Sequence, residues 1–365
     1  MWLKARSRCG GSVFSPEILD PDDAPSWLEQ VWPRGNRPSS IVAGINDDDC
    51  AVIDRGGRLL VVSTDFLNSR PIASELGLGN ASDLGRLLVA ANLSDLYGSG
   101  ASPVALLVGA MMKRGSTTAD FRDFMLGVRH QAEVQNVPVV GGDTKLGPDR
   151  VVYGVAIGEA PDSASLFLKN RGEPGDDLWV SGPLGDCNAA VVGLSRLNMR
   201  SSERDQAISS ILHPSLPARQ SAYVAQRRCG HGGIDISDGL GADLIRLCKS
   251  SNVGAVVDLA SIPVGQLATR VALDLQLDPA IMAFGCGGDF QFLVSAHPSR
   301  RSEISDGGLF RIGQLTFAKE IFVRDRDGGR YPWPEGGHRD GRNRTFADEI
   351  WDLMSLANQV LRHRG

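Results

Sequence analysis

Five turns along the chain each carry aspartate beside small, polar or apolar neighbours. They are Asp47-Asp48-Asp49, Thr64-Asp65, Asn92-Leu93-Ser94-Asp95, Gly141-Gly142-Asp143-Thr144 and Asp235-Ile236-Ser237-Asp238-Gly239. Mg²⁺ prefers oxygen ligands and is usually held by one or two carboxylates plus substrate phosphates. The oxygen-only set Asp48, Asp49, Asp65, Asp95, Asp143 and Asp238 therefore reads as metal ligands of a magnesium–nucleotide site, with Asp143 and Asp238 nearest the chemistry. Gly141 and Gly142, with Thr144, can offer bare backbone N–H groups to phosphate oxygens, as can Gly287 and Gly288. Any single turn of this kind is ordinary, since Asp and Gly are common turn residues. The reading rests on their recurrence at the ends of successive apolar segments.

Other chemistries are excluded by what is missing. The chain has no GxxxxGK[ST] loop, no GxGxxG after its first strand, no kinase HRD or DFG set and no GxSxG elbow. Its six histidines fall outside the aspartate turns; His213 and His231 are the two to watch, and each is read as structural. With no general base in view, the chemistry that fits is electrostatic. Phosphoryl transfer asks mainly for positioning and charge neutralisation, and metals supply both.

Composition agrees. The 365 residues are 42% hydrophobic and 22% charged, with a formal net charge of -5, which suits a soluble globular protein and not a nucleic-acid binder. None of the six cysteines forms a CxxC pair, so free thiols in a reducing compartment are expected. Met1 to Gly11 is followed by no apolar h-region, and no run approaches the ~18 apolar residues of a membrane span. A cytoplasmic protein acting on a small molecule, with no membrane partner, is the expectation.

The elements that must position these groups alternate between strand and helix, which indicates an α/β layer structure. Residues 1–40 are an extension punctuated by Pro16, Pro21, Pro25, Pro33 and Pro38. Residues 41–160 make a first domain. The pattern predicts a hairpin over 51–64, a helix over 80–97 with Ser82 as its N-cap, a strand over 104–110, a helix over 117–136 capped by Thr117 or Thr118, and a short strand 137–140 ending at Gly141. A joint near 160–176 leads to a second domain, 161–324. Residues 325–365 form a C-terminal extension whose 346–362 stretch is amphipathic and predicted helical.

The ordered set Asp47-Asp48-Asp49-Cys50-Ala51-Val52, Ser63-Thr64-Asp65, Asn92 to Asp95 with Gly100-Ala101-Ser102-Pro103, Gly141 to Thr144, Pro174-Gly175-Asp176, Ser181-Gly182-Pro183-Leu184-Gly185 and Asp235 to Leu240 resembles thiamine-monophosphate kinase. That family belongs to the superfamily of aminoimidazole ribonucleotide synthase, selenophosphate synthetase and a hydrogenase-maturation dehydratase. The resemblance spans roughly residues 41–323. It implies a two-domain PurM-like fold, with an N-terminal sheet that pairs into a barrel in a homodimer and a C-terminal α/β sandwich. It also implies ATP and several Mg²⁺ ions on the aspartates above, with Thr64, Lys169 and Arg171 beside the nucleotide.

The departures lie on the acceptor side. A Glu-Gly-Val-His-Phe-like segment of the family is replaced after Asp65 by Asn68-Ser69-Arg70-Pro71, and a Gly-Gly-Glu-Asp-Tyr-Glu-Leu segment by Cys286-Gly287-Gly288-Asp289-Phe290-Gln291-Phe292. The late Gly-Tyr-Asp-His-Phe-like end is replaced by Gly336-Gly337-His338-Arg339-Asp340. Arg70, Asp289 and Gln291 are expected to face the acceptor, and Arg70 and Gln291 suggest that it is different and more anionic. Thiamine monophosphate is the leading acceptor. A ligase, cyclase or dehydratase acting through a phosphorylated amide oxygen is the second reading, and a non-catalytic ATP-binding partner protein is the third.

Overall fold

Two sheets are laid down in succession, and one helix lies against both. The computed structural model describes residues 37–67, 72–285, 287–325 and 327–333, with 28, 31–33 and 35. Arg70, Cys286, the helix expected over 346–362 and most of the 1–40 extension lie outside the described residues. Residues 1–37 and 38–365 form separate units.

The first sheet holds β1 (Ile41–Ala43), β2 (Ala51–Asp54), β3 (Leu59–Leu67), β4 (Ser102–Lys113), β5 (Val139–Gly147) and β6 (Val151–Ala160) in the order β1-β2-β3-β6-β4-β5. Helices α1 (Ile72–Glu75), α2 (Ala81–Ser99) and α3 (Thr118–Val134) belong to the same half. The second sheet holds β7 (Asp177–Val180), β8 (Gly233–Ile236), β9 (Gly254–Asp258), β10 (Gln291–Ala296), β11 (Phe310–Thr316), β12 (Ile321–Arg324) and β13 (Arg330–Pro332), in the order β13-β12-β9-β11-β7-β10-β8. Its helices are α4 (Asp186–Arg196), α5 (Ser201–Leu212), α6 (Ala218–Arg227), α7 (Leu240–Ser251), α8 (Gln266–Asp274) and α9 (Arg301–Asp306). Only β4 with β5 and β9 with β12 pair in parallel among the described strands.

Helix α2 organises the body. It packs on β3 and β6 on one side and on β8 and β10 on the other. From Leu84 to Ser99 every residue except Arg86 and Asp95 is buried, as expected of a helix apolar nearly all round. Close approach is allowed by small residues. The inward positions of β6 are Val152, Gly154, Ala156, Gly158 and Ala160, and a Cβ at Gly154 would stand 2.5 Å from the Asn92 amide. At the α2–α3 crossing a Cβ at Gly85 would fall 2.2 Å from the Phe124 carbonyl oxygen, and one at Gly127 1.8 Å from that of Ser82.

Three local expectations change. The N-cap of α2 is Asn80, whose side chain accepts from Asp83 N–H while the Asp83 carboxylate accepts from Asn80 N–H, so this capping box prevails over Ser82. Strand β3 continues past Asp65 to Leu67. Strand β5 does not stop at Gly141 but runs through Gly-Gly-Asp-Thr to Gly147, because pairing with β4 carries it on. Gly142 is needed there for contact: a Cβ would lie 1.8 Å from the Val108 carbonyl oxygen.

Candidate active site

The aspartate-bearing turns meet where α2, the C-terminal half of β3, the 47–49 turn and the loop after β8 come together. Asn92 fixes Asp65 to α2. Its Oδ1 accepts from Asp65 N–H at 3.1 Å, and its Nδ2 donates to the Leu88 carbonyl at 2.9 Å. Asp95, one turn on, accepts from the Ser63 hydroxyl on β3. Ser94 points the other way and donates to Asp235 Oδ2 at 2.6 Å. The helix thus registers one sheet's carboxylates against the other's.

The 47–49 turn is held by its own backbone. Asp47 Oδ2 accepts from Gly44 N–H at 3.0 Å. Asp48 accepts from Cys50 N–H at 3.0 Å and from Lys169 N–H at 2.6 Å, and Lys169 Nζ reaches Asp49 at 2.5 Å. On the opposite wall Asp243 Oδ2 accepts from Asp238 N–H at 3.0 Å, and Arg246 bonds both Asp238 and Asp243. Helix α7 ties these pieces together, since Ser251 donates to the Lys169 carbonyl at 2.7 Å and Ser250 to that of Asp47 at 3.3 Å.

The electrostatics are those of a site short of positive charge. Burial raises the pKa of Asp48, with the Asp49 charge adding to it. Burial then the Asp235 and Asp49 charges hold Asp95 well above the usual carboxylate range, and Asp235 is raised by burial and by Asp49. Asp65 is raised by burial, with Asp238 and Asp49 opposing its ionisation. Crowded carboxylates of this kind become stable as anions when a cation joins them. An oxygen-only donor set of this type fits Mg²⁺. Among the described residues no three His, Cys, Asp or Glu side chains close on one point as a finished metal cage does. The arrangement suits an ion that keeps one or two carboxylates and completes its shell with phosphate and water.

Not every expected residue joins this pool. Asp143 is exposed on edge strand β5, 3.5 Å from Lys145. It pairs across the sheet with Gly109, then Tyr153, then Phe66, which places it three strand spacings, roughly 14 Å, from the Asp65 end of β3. Gly141, Gly142 and Thr144 are exposed beside it. Thr64 donates to the Gly154 carbonyl at 2.7 Å on the outer face of β3. Lys169 and Arg171, two residues apart, part company: Lys169 enters the pool, while Arg171 bonds the Ser163 carbonyl at 2.6 Å and the Ser163 hydroxyl at 2.7 Å.

Asp289 and Gln291 border a separate cleft of about 610 Å³ among Ser181, Asp186, Gln206, His213 and Ser215. Asp289 uses both oxygens on the start of α4, accepting from Gly185 N–H at 2.7 Å and Cys187 N–H at 3.1 Å. Burial pushes its pKa up to about 6. Gln291 accepts from the Ser181 hydroxyl at 2.9 Å and donates to the Ser215 carbonyl at 3.0 Å. The described lining holds no lysine or arginine, so it lends nothing to a more anionic acceptor.

Five participants, Asp235, Ser63, Ser94, Asp243 and Arg246, were not anticipated. Asp235 stands in the same motif as Asp238, and its place at the end of a buried strand was the available signal. Ser63 and Ser94 flank aspartates that were singled out, and their hydroxyls had no signal beyond that adjacency. Arg246 lies at i+3 from Asp243 on an amphipathic helix, a spacing that reads equally as a surface pair.

Most of the chain is similar to known proteins. Residues 47–160 match the family model described as AIR synthase related protein, N-terminal domain. The thiamine-monophosphate kinase of Methanopyrus kandleri is 28% identical over 279 residues, 76% of this chain and 84% of that protein. The thiamine-monophosphate kinase of Buchnera aphidicola is 30% identical over 236 residues, 62% of this chain and 69% of that one. A solved structure, AaThiL complexed with AMPPCP and TMP, superposes with a TM-score of 0.74 at 20% identity, covering 88% of this chain and 99% of its own.

Proposed function

The chain belongs to the thiamine-monophosphate kinase family, and we propose that its carboxylate pool is where it carries out an ATP- and Mg²⁺-dependent phosphoryl transfer, with thiamine monophosphate as acceptor. The observation that carries this reading is the meeting of Asp48, Asp49, Asp65, Asp95 and Asp238 from four separate segments. An acceptor that is itself a phosphate is already anionic and needs no general base, in keeping with a site built of carboxylates and two cations. Magnesium, when bound, would neutralise phosphate charge.

The chain's own residues do the positioning. Asn92 and Ser63 hold Asp65 and Asp95 from β3 and α2, Ser94 holds Asp235, and Arg246 with Asp243 holds the Asp238 turn. Lys169 brings a positive charge to the pool for nucleotide phosphate. Asp143, Gly141, Gly142 and Thr144 on the open edge strand would meet the nucleotide from another side, and Arg171 from its outer margin. Asp289 and Gln291 would shape the acceptor cleft, with Arg70 assigned to the same acceptor. The ligase-like and binding-only readings draw no support from family membership.

The same reading divides the body into domains 41–160 and 161–324 and makes the protein a homodimer. A sheet with one face on helices usually turns polar residues outward. Here the outward row carries Val62, Phe66, Leu107, Tyr153, Val155 and Ile157, with Phe66 58% exposed. A two-fold partner laid on this face would bury it, and such closure is the common solution for soluble oligomers. Sedimentation should give a dimer, and Phe66→Asp should shift it to monomer. A reducing, cytoplasmic setting agrees with the buried thiols Cys50, Cys229 and Cys248 among the described residues. Among the described residues no helix is long and apolar enough to cross a membrane.

The test is ATP consumption with Mg²⁺ and thiamine monophosphate, with mass analysis of the products. Thiamine diphosphate is the expected product, and Asp95→Asn should lower its rate at least about 10²-fold. Phosphate release without thiamine diphosphate would refute the kinase reading.

A further inference from the structure

Two cations enter the carboxylate pool, and each already has a partner. Lys169 is on Asp49 and Arg246 is on Asp238. In the magnesium–nucleotide reading, on which this inference rests, those same aspartates are metal ligands. A guanidinium and a metal ion cannot both take the same carboxylate oxygen, so the ion pair and the metal compete.

The geometry of Arg246 resolves that competition. Both its bonds leave from one nitrogen: Nη1 donates to Asp238 Oδ2 and, at 2.6 Å, to Asp243 Oδ1. Its Nε and Nη2 bond no protein atom among the described residues, and its side chain is 42% exposed. The two carboxylates differ in surroundings. Asp243 is 1% exposed, whereas Asp238 is 31% exposed. Parting Arg246 from Asp243 would leave a buried charge unpaired, which is strongly unfavourable. Parting it from Asp238 leaves a carboxylate that water or a metal can serve. Asp243 is therefore the fixed end of the contact and Asp238 the exchangeable one.

We propose that Arg246 is a two-position cation of the nucleotide site: it neutralises Asp238 while the site lacks metal and, pivoting on Asp243, turns its free N–H groups to a nucleotide phosphate once Asp238 is given over to Mg²⁺. The planar guanidinium suits this task, since its remaining donors match phosphate oxygens in pairs. The arrangement makes metal and nucleotide binding cooperative, because phosphate rehouses the charge that the metal displaces.

The swap has a signature that a merely structural arginine lacks, with effects of opposite sign on two ligands. Isothermal titration of the full chain with Mg²⁺ alone, and separately with ATP at saturating Mg²⁺, reads both. In Arg246→Gln, Mg²⁺ alone should bind about tenfold tighter because its competitor is gone, and ATP with Mg²⁺ about tenfold weaker. Arg246→Lys should shift both in the same directions by less, and it carries the test if the glutamine variant does not fold. Arg324→Gln, which breaks the separate Arg324–Asp258 pair, should change neither. Affinities that fall together, or that do not move, overturn the proposal. Wild-type protein that binds no ATP would refute the magnesium–nucleotide reading and the swap with it, whereas normal wild-type binding with an unaffected Arg246→Gln refutes the swap alone.

Discussion

Ser94 and Asp95 are neighbours on α2 and bond to different sheets: Ser94 donates to Asp235 on β8, while Asp95 accepts from Ser63 on β3. Adjacent helical positions point about 100° apart, so one turn of a buried helix can serve two walls of a site. Asp235 is 5% exposed, and no other side-chain donor to it is found among the described residues. Ser94→Ala should therefore cost about 1–3 kcal/mol of stability, seen as a lower midpoint in urea unfolding. The same variant should weaken ATP binding, because the β8 loop loses its tie to α2.

Gly127 lies inside α3, where alanine is the better helix former by roughly 1 kcal/mol. Packing reverses the sign. A Cβ there would meet the Ser82 carbonyl oxygen at 1.8 Å, and forcing the helices apart costs about 1–3 kcal/mol. Gly127→Ala should be net destabilising in thermal melts. A neutral or stabilised variant would show that α2 and α3 can separate without penalty.

His231 donates no charge to the site but sets a pH dependence. Its Nδ1 lies 3.0 Å from Asp176 Oδ2, and Asp176 is buried. The hydrogen bond with Asp176 raises the imidazole pKa; burial opposes this, and the Asp176 charge adds to it. A raised folded value means that the contribution is complete below the unfolded value near 6.5 and is lost as pH rises through the folded value. Stability measured from pH 6 to pH 9 should fall in the wild type, and this slope should flatten in His231→Gln.

Asp177 gives the opposite slope. It is fully buried on β7 and accepts from Arg301 at 2.5 and 2.9 Å and from Arg311 at 2.8 Å. Burial alone would raise its pKa, but the hydrogen bonds and charges of Arg301 and Arg311 outweigh it and hold the group below its ordinary value. Its contribution is present above the unfolded value near 3.9 and is lost as pH falls through the folded one. Asp177→Asn should lower stability at neutral pH by about 1–3 kcal/mol and remove the corresponding acid-side loss. Activity below the melting temperature should persist, since β7 contributes no group to the pool.

The main strands and helices over 51–140 and the identity of most pool aspartates could be read from the residues, because apolar runs ending in Asp and Gly mark both; the helices at Ser201–Leu212 and Gln266–Asp274 and the strands from Phe310 on could not. What could not be read was relative placement. Asp143 looks equivalent to Asp65 in sequence, yet only strand order shows that it occupies the sheet edge. Gly141-Gly142 suggested a turn, since glycine breaks strands more often than it permits them. Here the Val108 carbonyl needs the space that a side chain would take. Asn80 and Ser82 are both good caps, and the reciprocal bond to Asp83 decided between them. Lys169 and Arg171 were interchangeable by position in the motif, and a short 3₁₀ turn over Lys169–Arg171 sent them to different neighbours.

The loops that carry Asp238 and Asp289 cross where neither tolerates a side chain. A Cβ at Gly239 would fall 1.6 Å from the Gly285 carbonyl oxygen, and one at Gly287 1.9 Å from that of Ser237, while Gly288 N–H donates to the Ser237 carbonyl at 2.9 Å. Backbone resting on backbone leaves no soft layer to absorb a displacement. An occupant of the 610 Å³ cleft that pushes on Gly288 or Asp289 must also push on the turn that presents Asp238. The cleft and the carboxylate pool would then be thermodynamically linked. Whatever factor an occupant of one applies to the affinity of the other must be returned in full, so the crossed backbones would let each occupant report on the other in addition to any direct contact between them.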